Sequence, residues 1–282
     1  MREIVAKKIT DTIKRLCIEA NTSLPEDVVS AIKKAITKEK SPTGRDILRQ
    51  LLVNAKTAWR EKIALCQDTG LAFVFLSVGQ EVQIINGNLT AAVNEGVRQA
   101  YESGNLRKST VKDPITRCNN GDNSPAFIHT EMVPGESIKI QVLTKGGGAE
   151  NCSAIKMFKP YSSKTEIDEF ILETVKKAGA NACPPIIAGI GIGGSFDQAP
   201  LLAKKALLRE IGQPGCSKEK DTIAWEKHLL EMINKTGIGP MGLGGTTTAL
   251  AVHIERQPCH ISSLPVAVNI QCHSHRYKYA EI

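Results

Sequence analysis

Apolar residues recur at helical spacing from the start of the chain: Ile4, Val5, Ile9, Ile13, Cys17 and Ile18. That period predicts an amphipathic helix beginning at the first residues. Ser23-Leu24-Pro25-Glu26 has the form of a capping box and opens a second predicted helix running to Ile36, and a third is expected from about Thr43 to Arg60. Together they make a helical lead-in over residues 1–60, expected to serve packing and a subunit contact. The period then changes. Lys62–Leu65 and the apolar run Leu71–Leu76 read as two buried strands, with Cys66-Gln67-Asp68-Thr69-Gly70 as the loop between them. A helix from about Leu89 to Tyr101 follows. The chain is then polar and irregular from Gly104 to Asn123, until the alternating strand Ile138–Val142 feeds Gly146-Gly147-Gly148-Ala149-Glu150-Asn151.

Ser163-Lys164-Thr165-Glu166 opens another helix, which ends in Lys176-Lys177-Ala178-Gly179 with its basic residues at the negative end of the dipole. Asn181-Ala182-Cys183-Pro184-Pro185 turns into the apolar strand Ile186–Ile190, and Gly189–Gly194 leads to a helix capped at Ser195-Phe196-Asp197-Gln198. A structural helix is expected from about Ser217 to Thr236. The glycine-rich turn Gly239–Thr248 comes next, then the strand Ala249–Val252. The fold class is α+β (mixed α/β): the lead-in, then mixed sheet packed with helices over 61–282.

At 282 residues the chain can bury a substantial core as one large domain or two intimate lobes. No stretch approaches the roughly 20 apolar residues of a membrane span, and the start has no apolar signal core. Eight scattered cysteines read as thiols or ligands in a reducing compartment, so a cytoplasmic protein is expected. The net charge of +7 is spread without a Lys/Arg run, which argues against a nucleic-acid footprint and suits an acidic substrate.

The chemistry concentrates in short stretches. Cys66 places a metal-capable thiol two residues from the Asp68 carboxyl at a turn; a buried cysteine beside a turn aspartate is the plain alternative. The prolines after Cys183 set the thiol's approach and deny it a sheet position, as a metal ligand would require. Three glycines at 146–148 let backbone amides approach an anion, or make a flexible hairpin tip. Gly189–Gly194 superficially fits a dinucleotide fingerprint and with it a nucleotide-binding oxidoreductase, but no acidic residue ends a second strand where the ribose should be held. Close helix-strand packing explains these glycines better. The turn at 239–248 either lines a substrate site or is a tight turn beside the core. Cys259, His260, Cys272, His273 and His275 suggest a zinc-stabilised interaction module, although their spacing forms no recognisable pairwise clamp.

Cys66–Gly70, Gly146–Asn151, Ala182–Pro185, Gly191–Gly194 and Gly244–Thr247, in this order, resemble the alpha subunit of class I iron-sulfur fumarate hydratases and their tartrate dehydratase relatives. The likeness runs from about Glu3 to Arg276. It implies a [4Fe-4S] cluster held by Cys66, Cys183 and Cys272 with one open iron, and hydration of fumarate to L-malate as in the tricarboxylic acid cycle, or dehydration of L(+)-tartrate to oxaloacetate. It further implies Asp68 and His260 as catalytic residues, and Gln67, Arg107, Gly147 and His260 as contacts to a small dicarboxylate. The Arg107 fork suits a carboxylate chemically. Single-chain members continue into a second region that carries the base, so a separate beta subunit and a hetero-oligomer are expected. His273 and His275, which vary in the family, are expected near the surface, and Ala149 and Cys152 depart from its usual Ser and Met.

Overall fold

A computed structural model of the chain describes residues 1–213 and 220–282. In chain order its elements are β1 (Arg2–Val5), α1 (Ala6–Thr22), α2 (Glu26–Lys38), α3 (Pro42–Glu61), β2 (Leu71–Gly79), β3 (Val82–Ile85), α4 (Leu89–Ser103), β4 (Phe127–Val133), β5 (Ile138–Lys145), α5 (Gly147–Glu150) and β6 (Ala154–Phe158). They continue with α6 (Lys164–Ala178), β7 (Ile186–Gly194), α7 (Gln198–Ala206), α8 (Lys220–Asn234), β8 (Ala249–Cys259), β9 (Leu264–Gln271) and β10 (Arg276–Glu281), with 3-10 turns at Gly179–Ala182 and Pro240–Gly242. This is the mixed α+β class.

Two expectations fail locally. Arg2–Val5 is a strand, paired in parallel with β3 so that Ile4 faces Ile84 and Val5 faces Ile85; pairing between β-branched residues overrides the helical period there. Lys62–Leu65 is not a strand, because Lys62 adopts a left-handed φ of 56°. Leu65 is instead anchored at both polar groups, its N–H donating to Asn21 O (2.8 Å) and its carbonyl accepting from Asn54 Nδ2 (2.9 Å). The helix expected from Ser217 begins at Lys220 in the described residues; Cys216 and residues 217–219 lie outside them.

The chain divides into two compact units. The first comprises Met1–Pro25, Asn54–Gly147 and Arg276–Ile282. Its four-stranded sheet has the order β10-β5-β2-β4, with β4 parallel to β2 and the other pairings antiparallel. Alternate residues Ala72, Val74, Leu76 and Val78 of β2 and Ile138, Ile140 and Val142 of β5 point to one face. There they pack with Ile9, Ile13 and Leu16 of α1 and Val93, Val97 and Tyr101 of α4, the period-2 pattern of the strands meeting the period-3.6 pattern of the helices.

The second unit comprises Glu26–Val53 and Gly148–His275. Its sheet has the order β6-β9-β7-β8, with β8 parallel to β7, and β9 and β6 antiparallel to their neighbours. Ile186, Ala188 and Ile190 of β7 and Val266, Val268 and Ile270 of β9 form a core with α6 and α8. Helix α6 starts on the expected capping box of Ser163 and Glu166. Helix α7 covers the opposite face. A Cβ on Gly189 or Gly191 would lie 2.1 Å from the carbonyls of Ala203 or Ala199. The Gly189–Gly194 run is therefore strand, and its glycines admit a close helix rather than a pyrophosphate.

The two sheets share one plan. In each, a central strand (β2, β7) is followed by a parallel edge strand (β4, β8), and then by an antiparallel strand on the central strand's other side (β5, β9). The outermost strand of each sheet, β6 or β10, is the one that follows the third strand of the other sheet in sequence.

Candidate active site

Within their own units, Cys66, Asp68 and Cys183 precede the central strand, and Gly147 and Cys272 follow the third strand. In the first unit, Cys66–Gly70 is irregular backbone fixed by buried side chains. Arg276 Nη1 donates to Asp68 O at 2.8 Å, Thr69 Oγ1 donates to Arg107 O at 2.9 Å, and Tyr101 OH donates to Gly70 O at 2.9 Å. Gly70 has a φ of 72°, and a Cβ there would lie 2.2 Å from Lys145 O, so only glycine brings this turn against β5. The Asp68 carboxylate is held too: Gly147 N–H donates to its Oδ2 at 2.8 Å. Two residues singled out separately in the sequence thus meet. Gly147–Glu150 is the short helix α5, with Gly146 just before it, not an open nest or a hairpin tip.

Cys66 is a half-buried thiol outside any disulfide, with Sγ 3.4 Å from Oε1 of the exposed Gln67. The Arg107 side chain is exposed and makes no hydrogen bond or ion pair with any described residue, while its carbonyl is fixed by Thr69. The polar stretch after it is ordered by Asn123. This residue is 1% exposed, accepts the N–H groups of Ser109 (2.6 Å) and Thr110 (3.2 Å) on Oδ1, and donates from Nδ2 to Gly70 O (3.2 Å). One buried amide therefore joins the Arg107 loop to the Cys66 loop.

In the second unit, Cys183 caps the 3-10 turn at Gly179–Ala182 in a left-handed conformation (φ 50°, ψ 65°). The carbonyl of Pro184, next in the chain, accepts from Met241 N–H at 2.7 Å. His273 N–H donates to Cys183 O at 3.2 Å, which brings the Cys183 turn to the Cys272 segment. Both thiols are half-buried and outside any disulfide, and Cys272 Sγ lies 3.3 Å from Ser274 Oγ. His260 is exposed in the turn between β8 and β9; its Nδ1 accepts from Ser262 N–H (3.1 Å), leaving Nε2 as the protonated nitrogen. His275, expected near the surface, is fully buried, and its neighbours Ser274 and Arg276 are buried with it. Among the described residues no three His, Cys, Asp or Glu side chains converge on a point that could hold a single ion, so the Cys259–His275 region does not form a zinc clamp.

These two junctions match in position, though one acceptor is a side-chain carboxylate and the other a backbone carbonyl. Gly147, the second residue after β5, donates its N–H to Asp68, the third before β2; His273, the second after β9, donates its N–H to Cys183, the third before β7. Asp68 and Cys183 thus occupy matching places, as do Gly146 and Cys272. Nothing in their sequences shows the match.

The glycine-rich turn at 239–248 holds an anion of its own. Glu39 is 4% exposed and accepts N–H groups from Ser41 (2.9 Å) and Thr246 (2.8 and 3.0 Å). Burial opposes its ionisation, but those backbone donors and the hydroxyls of Thr247 and Thr246 outweigh it and hold the carboxyl down at about 2. A Cβ on Gly245 would lie 2.8 Å from Glu39 Oε1. The tight-turn alternative describes this segment; its Thr246 N–H and the hydroxyls of Thr246 and Thr247 serve Glu39.

A family model described as Fumarate hydratase (Fumerase) matches residues 10–281. The chain belongs to this hydro-lyase family. It is similar to a Methanocaldococcus jannaschii protein provisionally named L(+)-tartrate dehydratase subunit alpha, at 44% identity over 95% of both chains. It is also similar to the L(+)-tartrate dehydratase subunit alpha of Escherichia coli, at 30% identity in strain UTI89 and 29% in strain K12, over 98% of this chain and 91% of the relative in each case.

Arg276, Tyr101 and Asn123, which fix the Cys66–Gly70 loop, escape a reading by motifs. Each has the pattern of an ordinary helix, strand or loop residue. Asn123 stands in a polar, largely exposed stretch and Tyr101 beside Glu102 near the end of α4, so no local pattern marks either.

Proposed function

We propose that this chain is the alpha subunit of a two-subunit hydro-lyase acting on a C4 dicarboxylate, hydrating fumarate to L-malate or dehydrating L(+)-tartrate to oxaloacetate. One observation carries the reading: the family model spans residues 10–281 and so takes in every candidate site residue. The tartrate dehydratase names of the relatives at 44% and 30% identity put tartrate level with fumarate.

Cys66, Cys183 and Cys272 would hold the [4Fe-4S] cluster. The donor set suits it: three half-buried thiols outside any disulfide and on irregular backbone, each beside main chain that hydrogen bonds anchor. A cube takes one thiolate per iron, so the cysteines need not converge on a single ion. When bound, the cluster supplies a Lewis-acidic iron for the substrate's carboxylate and hydroxyl.

The other tasks fall to this chain's side chains. Arg107 has its fork available for a substrate carboxylate. Asp68 has Oδ2 fixed by Gly147 and Oδ1 without a partner among the described residues, so it is aimed while one oxygen remains for proton transfer. In hydration Oδ1 takes a proton from the incoming water; in dehydration it returns one to the departing hydroxyl, which leaves as water. Gly147 acts through Asp68. The Nε2–H of His260 and the Gln67 amide complete the polar contacts. The proton on carbon goes to a base from the beta subunit, in a hetero-oligomer.

No described helix is long and apolar enough to cross a membrane, and thiols outside disulfides suit a reducing cytoplasm. Anaerobic co-expression with the beta subunit, followed by assays on fumarate, L-malate and L(+)-tartrate, tests the reading. Turnover of at least one is expected, and a cluster-loaded complex inert on all three would overturn it.

A further inference from the structure

Arg276, the first residue of β10, is 1% exposed and is the largest of the fully buried side chains described. Nη1 donates to Asp68 O (2.8 Å) and to Asn21 Oδ1 (3.2 Å). Nε is enclosed and has no partner, and no carboxylate lies within ion-pair distance of the guanidinium among the described residues. A buried cation without a direct ion pair is costly, and a neutral donor could make the same bond to a carbonyl. The charge therefore needs an explanation beyond packing.

Its position supplies one. The point a Cβ on Gly146 would occupy lies 2.8 Å from Asp68 Oδ2 and 3.6 Å from Arg276 Nη2, so the guanidinium and the carboxylate flank the same glycine. Asp68 is held at its main chain by Arg276 and at its side chain by Gly147 N–H. Asn21 holds Arg276 in turn, and is itself fixed by donating to Cys17 O at 2.9 Å.

We infer that Arg276 is the positioning residue for Asp68: it fixes the Asp68–Thr69 peptide from the buried side and so sets the direction in which the carboxylate meets substrate. This rests on the reading of Asp68 given under Proposed function. A displacement of about 1 Å at a reacting group can cost about 100-fold in rate, so the effect belongs in turnover rather than in substrate affinity.

The test uses the complex assembled with its beta subunit, comparing Arg276→Met, Arg276→Lys, Asp68→Asn and the double variant Asp68→Asn/Arg276→Met. Arg276→Gln replaces Met in every arm if Met does not yield folded protein. Expected are wild-type iron per chain in all variants and a kcat about 10- to 100-fold lower in Arg276→Met, with KM within about threefold of wild type. Arg276→Lys should recover much of the loss, and the double variant should fall no more than about threefold below Asp68→Asn alone, since residues acting as a unit are not additive. Normal kcat in Arg276→Met, a fully additive double variant, or iron lost from Arg276→Met would each overturn the inference while leaving an impaired Asp68→Asn in place. Normal kcat in Asp68→Asn would instead overturn the reading of Asp68, and this inference with it.

Discussion

Gly147 N–H donates to Asp68 Oδ2 at 2.8 Å, joining the end of β5 to the loop before β2. A carboxylate that only completed this turn would be replaceable by any acceptor of the same shape, and asparagine keeps such an acceptor. If Asp68 moves a proton at the substrate hydroxyl, Asp68→Asn keeps iron and substrate affinity while kcat falls by about 100- to 10,000-fold, the range of general acid-base catalysis. Steady-state kinetics on the cluster-loaded complex decide it; near-normal turnover would leave Asp68 a turn residue.

Arg107 should fail differently. Arg107→Lys keeps the charge and loses the bidentate fork, removing about 1.5–3 kcal/mol of a charged hydrogen bond. That corresponds to a fall of about 10- to 150-fold in kcat/KM, with unchanged iron and unchanged thermal midpoint. A variant with wild-type kcat/KM on all three candidate substrates would remove Arg107 from the site.

Asn123 links the two loops that carry Arg107 and Asp68. Asn123→Ala leaves the N–H groups of Ser109 and Thr110 without their acceptor. At about 1–3 kcal/mol for each of the two unsatisfied groups, a loss of about 2–6 kcal/mol is expected. It should appear in urea unfolding, with faster amide exchange over 107–123 and a raised KM. Stability within about 0.5 kcal/mol of wild type and unchanged exchange would contradict the linking role.

Glu39 gives a pH signature. Its carboxyl sits at about 2 in the fold and returns toward 4.5 on unfolding. The unfolded chain therefore takes up the proton first as pH falls, so the contribution of Glu39 is complete above about 4.5 and is lost progressively toward 2. Glu39→Gln should cost about 1.5–3 kcal/mol at pH 7, a difference that shrinks as the pH is lowered through that window. Equal stability at pH 7, or a difference that does not change with pH, would show that the Thr246 turn does not depend on the charge.

Much of this was legible in the sequence, for local reasons. The capping box of α6, the apolar period of α1, and the glycine run packed under α7 each depend on residues close in the chain. Cys66 and Cys183 stood out at turns, and Cys272 only through the family resemblance. What escaped depends on distant partners. β1 exists only through β3, and Glu39 is explained only by Thr246. The correspondence of the Asp68–Gly147 and Cys183–His273 junctions lies in their places relative to the strands, one N–H meeting a side-chain carboxylate and the other a backbone carbonyl, and leaves no repeated residues. Arg276 reads as the polar start of a strand until Asp68 O is found beside it.

Which thiols hold iron is the decisive question. Iron counted per chain after anaerobic reconstitution with the beta subunit tests this most directly, across Ser variants of each described cysteine. Cys66→Ser, Cys183→Ser and Cys272→Ser should each lose the cluster. Cys17→Ser, Cys118→Ser, Cys152→Ser and Cys259→Ser should retain the wild-type count; Cys17 is fully buried, its thiol pushed up to about 12 by burial, and unsuited to act as a thiolate ligand. A full complement of iron in any of the first three would contradict the ligand assignment and the open-iron site built on it.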